Sequence, residues 1–214
     1  MDGQYGPALP VYTVAVCRGV PDWARIKRVR LPYSLWRGTA PETDFSMAYD
    51  PAAGFYVRMC CREKDPRIVT PADDGPVWED SCMEAFLNFD PGRGDAYLNL
   101  ETNAAGALLC EFGAEKAERT KLAALGVPRP TIRALREADG WRADFFIPLA
   151  TVRALYGRDS FAAGDTLRGN FYKCGDKTAQ PHYGAWAPIA HDTPLFHLPP
   201  FFGVLVIGAE NGAQ

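Results

Sequence analysis

The sequence predicts an all-β protein: an antiparallel β-sandwich, jelly-roll-like, with one or two short helices in its connections. Three observations carry this. Apolar residues recur with a period of two rather than 3.6 along most of the chain. The 20 glycines and 18 prolines, spread evenly over 214 residues, break it into short segments without making it low-complexity. Twelve Phe, nine Tyr and five Trp, within a hydrophobic content of 47%, supply a well-filled core. One domain over 1–214, with its core over about 10–208, fits the normal size range for such a fold.

The elements follow in order. Strands are expected at 11–16 and 26–31. Asp44 to Asp50 alternates polar or small with large apolar residues, and Phe55, Val57, Met59 and Cys61 alternate with Tyr56, Arg58, Cys60 and Arg62. Pro51–Gly54 turns between them, so the two runs predict a hairpin. Cys82 to Phe89 follows, with Met83, Ala85 and Leu87 on the core face. Asp90–Gly94 turns into Asp95 to Asn103, and Ala105-Gly106 turns again into Ala107 to Phe112. The remaining strands are expected at 131–136, 140–147, 167–174 and 201–207. Two helices are predicted. Ala114 to Leu125 lies between Gly113 and Gly126, with Glu115 four residues before Arg119. Pro148 to Tyr156 carries its proline in the first turn.

Charge and composition exclude several functions. A net charge of −3 offers no basic field to gather phosphates, so nucleic acid is not an expected partner. The longest apolar stretch, near Phe201 to Ile207, is far short of the roughly 20 residues that span a bilayer, so no membrane is expected either. Three histidines argue against a histidine-built centre. The start, Met1-Asp2-Gly3-Gln4, has neither a basic region nor an apolar run. Together with six cysteines in no CxxC spacing, this predicts reduced thiols and a cytoplasmic location, or secretion if a signal has been removed. No zinc-like spacing is present, and no cofactor is predicted.

The candidate site begins at Trp78, which follows the loop Asp73–Pro76. Strand alternation puts Glu84 on the face opposite Met83, Ala85 and Leu87. On the next strand Ala96, Leu98 and Leu100 face the core, leaving Tyr97, Asn99, Glu101 and Asn103 on the other side. Asn is poor in strands, so two on one face suggest a use for a group that both donates and accepts. Sugar hydroxyls are such partners. Lys173, His182, Tyr183 and Trp186 stand in a dense C-terminal run, where they are candidates for binding or for loop and core packing.

These segments resemble the carbohydrate-binding module family 9 and its standalone relatives. The resemblance rests on Phe45–Asp50, Tyr56–Arg58, Val77–Leu87, Trp141–Pro148, Asn170–Asp176 and Phe201–Leu205. It implies a jelly-roll-like sandwich that holds a glycan end between two tryptophans. Trp78 would be the first of these and Trp186 the second, facing one another across a partly exposed gap. Glu84 would be the acidic residue behind the first, and Glu101 and Asn103 further polar contacts. Structural calcium occurs in the family, but its ligands do not map onto this chain.

The function expected is therefore non-catalytic binding of a mono- or oligosaccharide or a polysaccharide chain end, serving carbohydrate catabolism. Trp78, Glu84, Asn99, Glu101, Asn103, Lys173, Tyr183 and Trp186 are its contacts. Three alternatives stay open: a structural or partner-binding sandwich with a decayed site, a glycoside hydrolase using Glu84 and Glu101, and haem binding.

Overall fold

The computed structural model describes residues 8–210. Its strands are β1 (Val11–Val16), β2 (Val29–Arg30), β3 (Tyr33–Ser34), β4 (Thr43–Asp50), β5 (Gly54–Cys61), β6 (Cys82–Asn88), β7 (Tyr97–Asn103) and β8 (Leu108–Gly113). There follow β9 (Thr120–Lys121), α1 (Leu122–Leu125), β10 (Thr131–Glu137), β11 (Gly140–Pro148), α2 (Leu149–Tyr156), β12 (Thr166–Cys174), β13 (Tyr183–Ala185) and β14 (Gly203–Ile207). No described helix is long and apolar enough to cross a membrane.

The strands form two sheets joined through β1. One runs β14-β12-β6-β7-β8-β9, and the other β10-β11-β5-β4. The first four residues of β1 pair with β14, Val11 opposite Val204, and its last two residues pair with β4, Ala15 opposite Ala48. Both pairings are parallel, the exception in an otherwise antiparallel sandwich of the expected class: β1 leaves one sheet and enters the other. The 44–50/55–61 hairpin stands as β4 and β5, with Met47 opposite Val57.

Alternation sorts the side chains as period two dictates. Phe45, Met47, Val57, Met59, Ala85, Leu87, Leu98, Leu100, Phe145 and Phe171 meet in the core between the sheets. There Phe45 of one sheet stacks on Phe171 of the other, ring centroids 3.7 Å apart. Cys82, Phe86, Tyr97, Tyr172 and Ala185 face the opposite way. That outer face is not solvated. The segment carrying Ile189, Phe196 and Phe202 folds over it, and Phe196 stacks on Tyr172 at 4.1 Å.

Two expected elements differ, and a third forms as expected. Strand 26–31 contracts to β2, which pairs only with the end of β4. Helix 148–156 forms as α2, with Pro148 just before it and Gly157 closing it at φ +70°. Helix 114–125 breaks up: a 3₁₀ turn at Lys116–Glu118 leads into β9, and only Leu122–Leu125 is α-helical. Pairing Thr120 with Phe112, and Lys121 with Glu111, takes the chain out of helical geometry. Arg119 then binds Glu111 Oε2 at 3.1 Å in place of Glu115. All six cysteines are free thiols; Cys17 and Cys60 are partly exposed and the other four are buried.

Candidate functional site

A cavity of about 320 Å³ opens on the outer face of the β6-β7-β12 sheet. Its floor is set by strand register. Glu84 of β6 stands between Tyr172 of β12 and Glu101 of β7, directly opposite each. Both carboxyl groups line the cavity although the residues are only 2% and 3% exposed. Glu84 Oε1 accepts from Cys174 Sγ at 2.8 Å, and Glu101 Oε1 accepts from Asn99 Nδ2 at 2.9 Å. Burial, with Cys174 and the neighbouring Glu101 adding to it, holds Glu84 well above the usual carboxylate range. Burial also raises Glu101, against the hydrogen bond from Asn99 and the nearby Arg119 cation. Two facing carboxyl groups that resist ionisation can donate as well as accept, which suits hydroxyl partners.

Two tryptophans stand over this floor. Trp78 sits in a 3₁₀ turn, Val77–Glu79, whose Val77 is buried while the indole remains 38% exposed. Trp78 O accepts from Asp176 N and Glu79 O from Lys177 N, both at 3.1 Å, so the turn is tied to the chain beyond β12. Trp36 is half-buried at the cavity wall. It follows β3, which pairs with β13, and Leu35 N donates to Tyr183 O at 2.7 Å. Trp36 has φ +54°, a left-handed conformation that costs a bulky residue about 1–3 kcal/mol and that structures tend to keep at functional sites. Its ring is held against Tyr183 and Phe196, at centroid distances of 5.5 and 5.6 Å.

The far wall is polar. Arg119, its side chain only 6% exposed, reaches Tyr97 Oη at 3.3 Å as well as Glu111. Its Nη2 lies 3.4 Å from His197 Nε2, and His197 Nδ1 is 2.8 Å from Tyr97 Oη. A guanidinium only donates, so Nε2 is the acceptor and Nδ1 carries the proton. Burial and the adjacent cation keep the imidazole neutral, its pKa lowered to about 2.

The structure brings Trp78, Glu84, Glu101 and Tyr183 around one cavity. Four other predicted contacts lie elsewhere. Trp186 is 3% exposed in the core between the sheets, 5.2 Å from Phe45 and 5.9 Å from Phe171, and does not face Trp78 across a gap. The reason is a strand the sequence did not reveal. β13 puts Tyr183 and Ala185 on the outer face, and the next residue, still bonded through its N–H to Phe171 O, turns inward. Lys173 is likewise an interior residue, fully buried, its Nζ 2.8 Å from His182 Nε2 and 3.2 Å from Glu63 Oε2. Asn103 is a backbone clamp. Its amide donates to Thr70 O and Asp80 Oδ2 and accepts from Ala105 and Ala107 N–H. Asn99 is wholly buried behind Glu101 and orients that carboxyl from the side. Trp36, Arg119, Asp176 and His197 line the cavity and were not singled out from the sequence. The criterion that picked Trp78, a tryptophan beside a loop glycine or proline, applies equally to Trp36, two residues before Gly38.

Fold and cavity together define a β-sandwich with a small-ligand pocket on the outer face of one sheet. The chain belongs to carbohydrate-binding family 9, whose model matches residues 20–207. Among solved structures, it is 28% identical to a "putative carbohydrate-binding protein" from Bacteroides uniformis ATCC 8492, with a TM-score of 0.78 over 94% of this chain and 100% of that one. A family 9 module from Caldicellulosiruptor kristjanssonii in complex with cellotriose superposes with a TM-score of 0.70 over 95% and 96% of the two chains at 13% identity. A family 9 module from the same organism in complex with glucose gives 0.65 over 96% and 99% at 14% identity. At such low identity these last two speak to the fold alone. The curated proteins give no match.

Proposed function

We propose that the chain binds a mono- or short oligosaccharide in this cavity, with Trp78 and Trp36 as its apolar walls and Glu84 and Glu101 as its hydrogen-bonding floor. The observation that carries this reading is the half-exposed Trp78 indole beside a floor of two buried carboxyl groups, with Trp36 on the same cavity. A pyranose has the matching surface: an apolar C–H patch and a rim of hydroxyls. Covering roughly 80 Å² of apolar surface with an indole is worth about 2 kcal/mol at about 25 cal/mol per Å². At about 320 Å³ the cavity is at the lower end of small-ligand pockets, about 300–1,000 Å³, which favours one or two sugar rings over a long buried chain. The carbohydrate-binding family to which the chain belongs supports the same ligand class.

Calorimetric titration with glucose and cellotriose tests this. Trp78→Ala and Trp36→Ala are each expected to weaken binding by about tenfold or more, the equivalent of about 1.4 kcal/mol. Both variants should keep the wild-type fold. Binding by both within about twofold of wild type would refute the site, since that is a change of only about 0.4 kcal/mol.

A further inference from the structure

Cys82, Glu84 and Cys174 form a separate chemical unit at the foot of the cavity. Cys82 and Glu84 are two residues apart on one face of β6, and Cys174 of β12 is directly opposite Cys82. All three are buried, and their donor atoms lie within 4.8 Å of one another. The Cys174 Sγ to Glu84 Oε1 distance is 2.8 Å. A thiol is a weak donor, so it is a poor sole partner for a buried carboxyl oxygen. Lys173 does not supply a counter-charge on this face: it points to the other side of β12, where Glu63 and His182 engage it. Two sulfurs and a carboxylate oxygen converging on one point are instead the donor set of a borderline-soft divalent cation.

We propose that Cys82, Glu84 and Cys174 bind a zinc-type divalent cation whose fourth coordination position opens on the cavity. Zinc takes sulfur at about 2.3 Å and carboxylate oxygen at about 2.0–2.2 Å, which puts tetrahedral donors roughly 3.4–3.8 Å apart. The donor atoms all lie within 4.8 Å of one another, so side-chain adjustment that opens the 2.8 Å Cys174–Glu84 contact and draws in the wider separations reaches that spacing without a change of strand register. Three protein ligands with one open position is the arrangement of reactive zinc sites, whereas purely structural sites fill all four. Glu84 and Cys174 line the cavity, so the open position accepts water or a hydroxyl of the cavity's occupant. As the cation enters, both thiols, and the carboxyl where it is protonated, release their protons to water. No electron moves. The ligands come from strands far apart in sequence, which is why no CxxC spacing announces them.

The inference does not depend on what fills the cavity, and it is tested without sugar. The full chain is reduced, stripped with a chelator and titrated with Co²⁺. The expected result is about one ion per chain, with thiolate-to-cobalt charge-transfer absorption that Zn²⁺ displaces. Replacing Cys82→Ser and Cys174→Ser together should abolish the absorption. Glu84→Gln should keep it and weaken affinity by about tenfold or more, since even groups outside the ligand shell cost that much. The wild-type titration decides the matter if the double variant does not fold. No charge-transfer absorption from the reduced wild type at saturating Co²⁺ would overturn the site. So would absorption that survives loss of both thiols, or a Cys82–Cys174 disulfide that persists in reductant.

Discussion

Replacing Trp186 by alanine is expected to destabilise the protein by about 3–5 kcal/mol, the range for emptying a large aromatic site in a core. The indole fills the space where the two sheets meet, against Phe45 and Phe171. Gly203 has been shaped around it: a Cβ there would stand 2.4 Å from Trp186 Cζ3 and 2.7 Å from Cη2. Gly203→Ala is therefore expected to lower stability as well, by about 1–3 kcal/mol, as overpacking does. Trp78→Ala, in contrast, removes a half-exposed ring and should change stability by no more than about 0.5 kcal/mol. Urea denaturation of the three variants distinguishes the roles. A Trp186→Ala protein within about 1 kcal/mol of wild type would show that the ring is not a core support.

Lys173→Met is expected to cost about 3–5 kcal/mol, because it leaves a charge in the interior without its partner. Lys173 Nζ binds Cys174 O, His182 Nε2 and the Glu63 carboxylate. Glu63 in turn accepts from Ser81 Oγ at 2.8 Å and from Trp141 Nε1 at 3.1 Å. Burial pushes the Glu63 carboxyl up, but Lys173 and these two hydrogen bonds outweigh it, and the net shift is downward. A depressed carboxylate contributes stability above its ordinary pKa and loses it as pH falls through the folded value. His182, lowered from 6.5 to about 4 by burial and by Lys173, also costs stability on acidification. Between these values the unfolded chain takes up a proton that the folded chain refuses. On acidification His182 thus removes stability between about pH 6.5 and 4, and Glu63 removes more below that, while the raised carboxyls of Glu84 and Glu101 act in the opposite sense in both wild type and variant. In Lys173→Met the cation that depresses both groups is gone, so both parts of the acid dependence should shrink. Denaturation midpoints measured from pH 7 to 3 test this; a pH profile identical to wild type would contradict the cluster's role.

Most of the fold was legible because both faces of most strands obey period two. The β4–β5 hairpin and the sorting of Glu84 and Glu101 away from Ala85 and Leu100 needed no more than alternation. The parallel bridging by β1 was not legible, because nothing local in Val11–Val16 says which strands lie beside it. The site was half legible for a related reason. Alternation puts Asn103 on the outer face, but it cannot say that the chain at Thr70 folds over that face and takes the amide for its own backbone. β13 is three residues long and glycine-containing, so its inward step to Trp186 left no periodic trace. Trp36 is placed by the pairing of β3 with β13, which joins segments about 150 residues apart in sequence and leaves no local pattern.

The central claim is that the sugar lies between Trp36 and Trp78. The five indole N–H groups of Trp23, Trp36, Trp78, Trp141 and Trp186 can be followed separately by ¹⁵N NMR during titration with cellotriose. The account predicts that the Trp36 and Trp78 signals shift together along one saturation curve, while Trp141 and Trp186 in the core and Trp23 beneath Arg58 stay in place. A response from Trp186 without Trp36, or no response of either Trp36 or Trp78 to glucose or cellotriose, would contradict it.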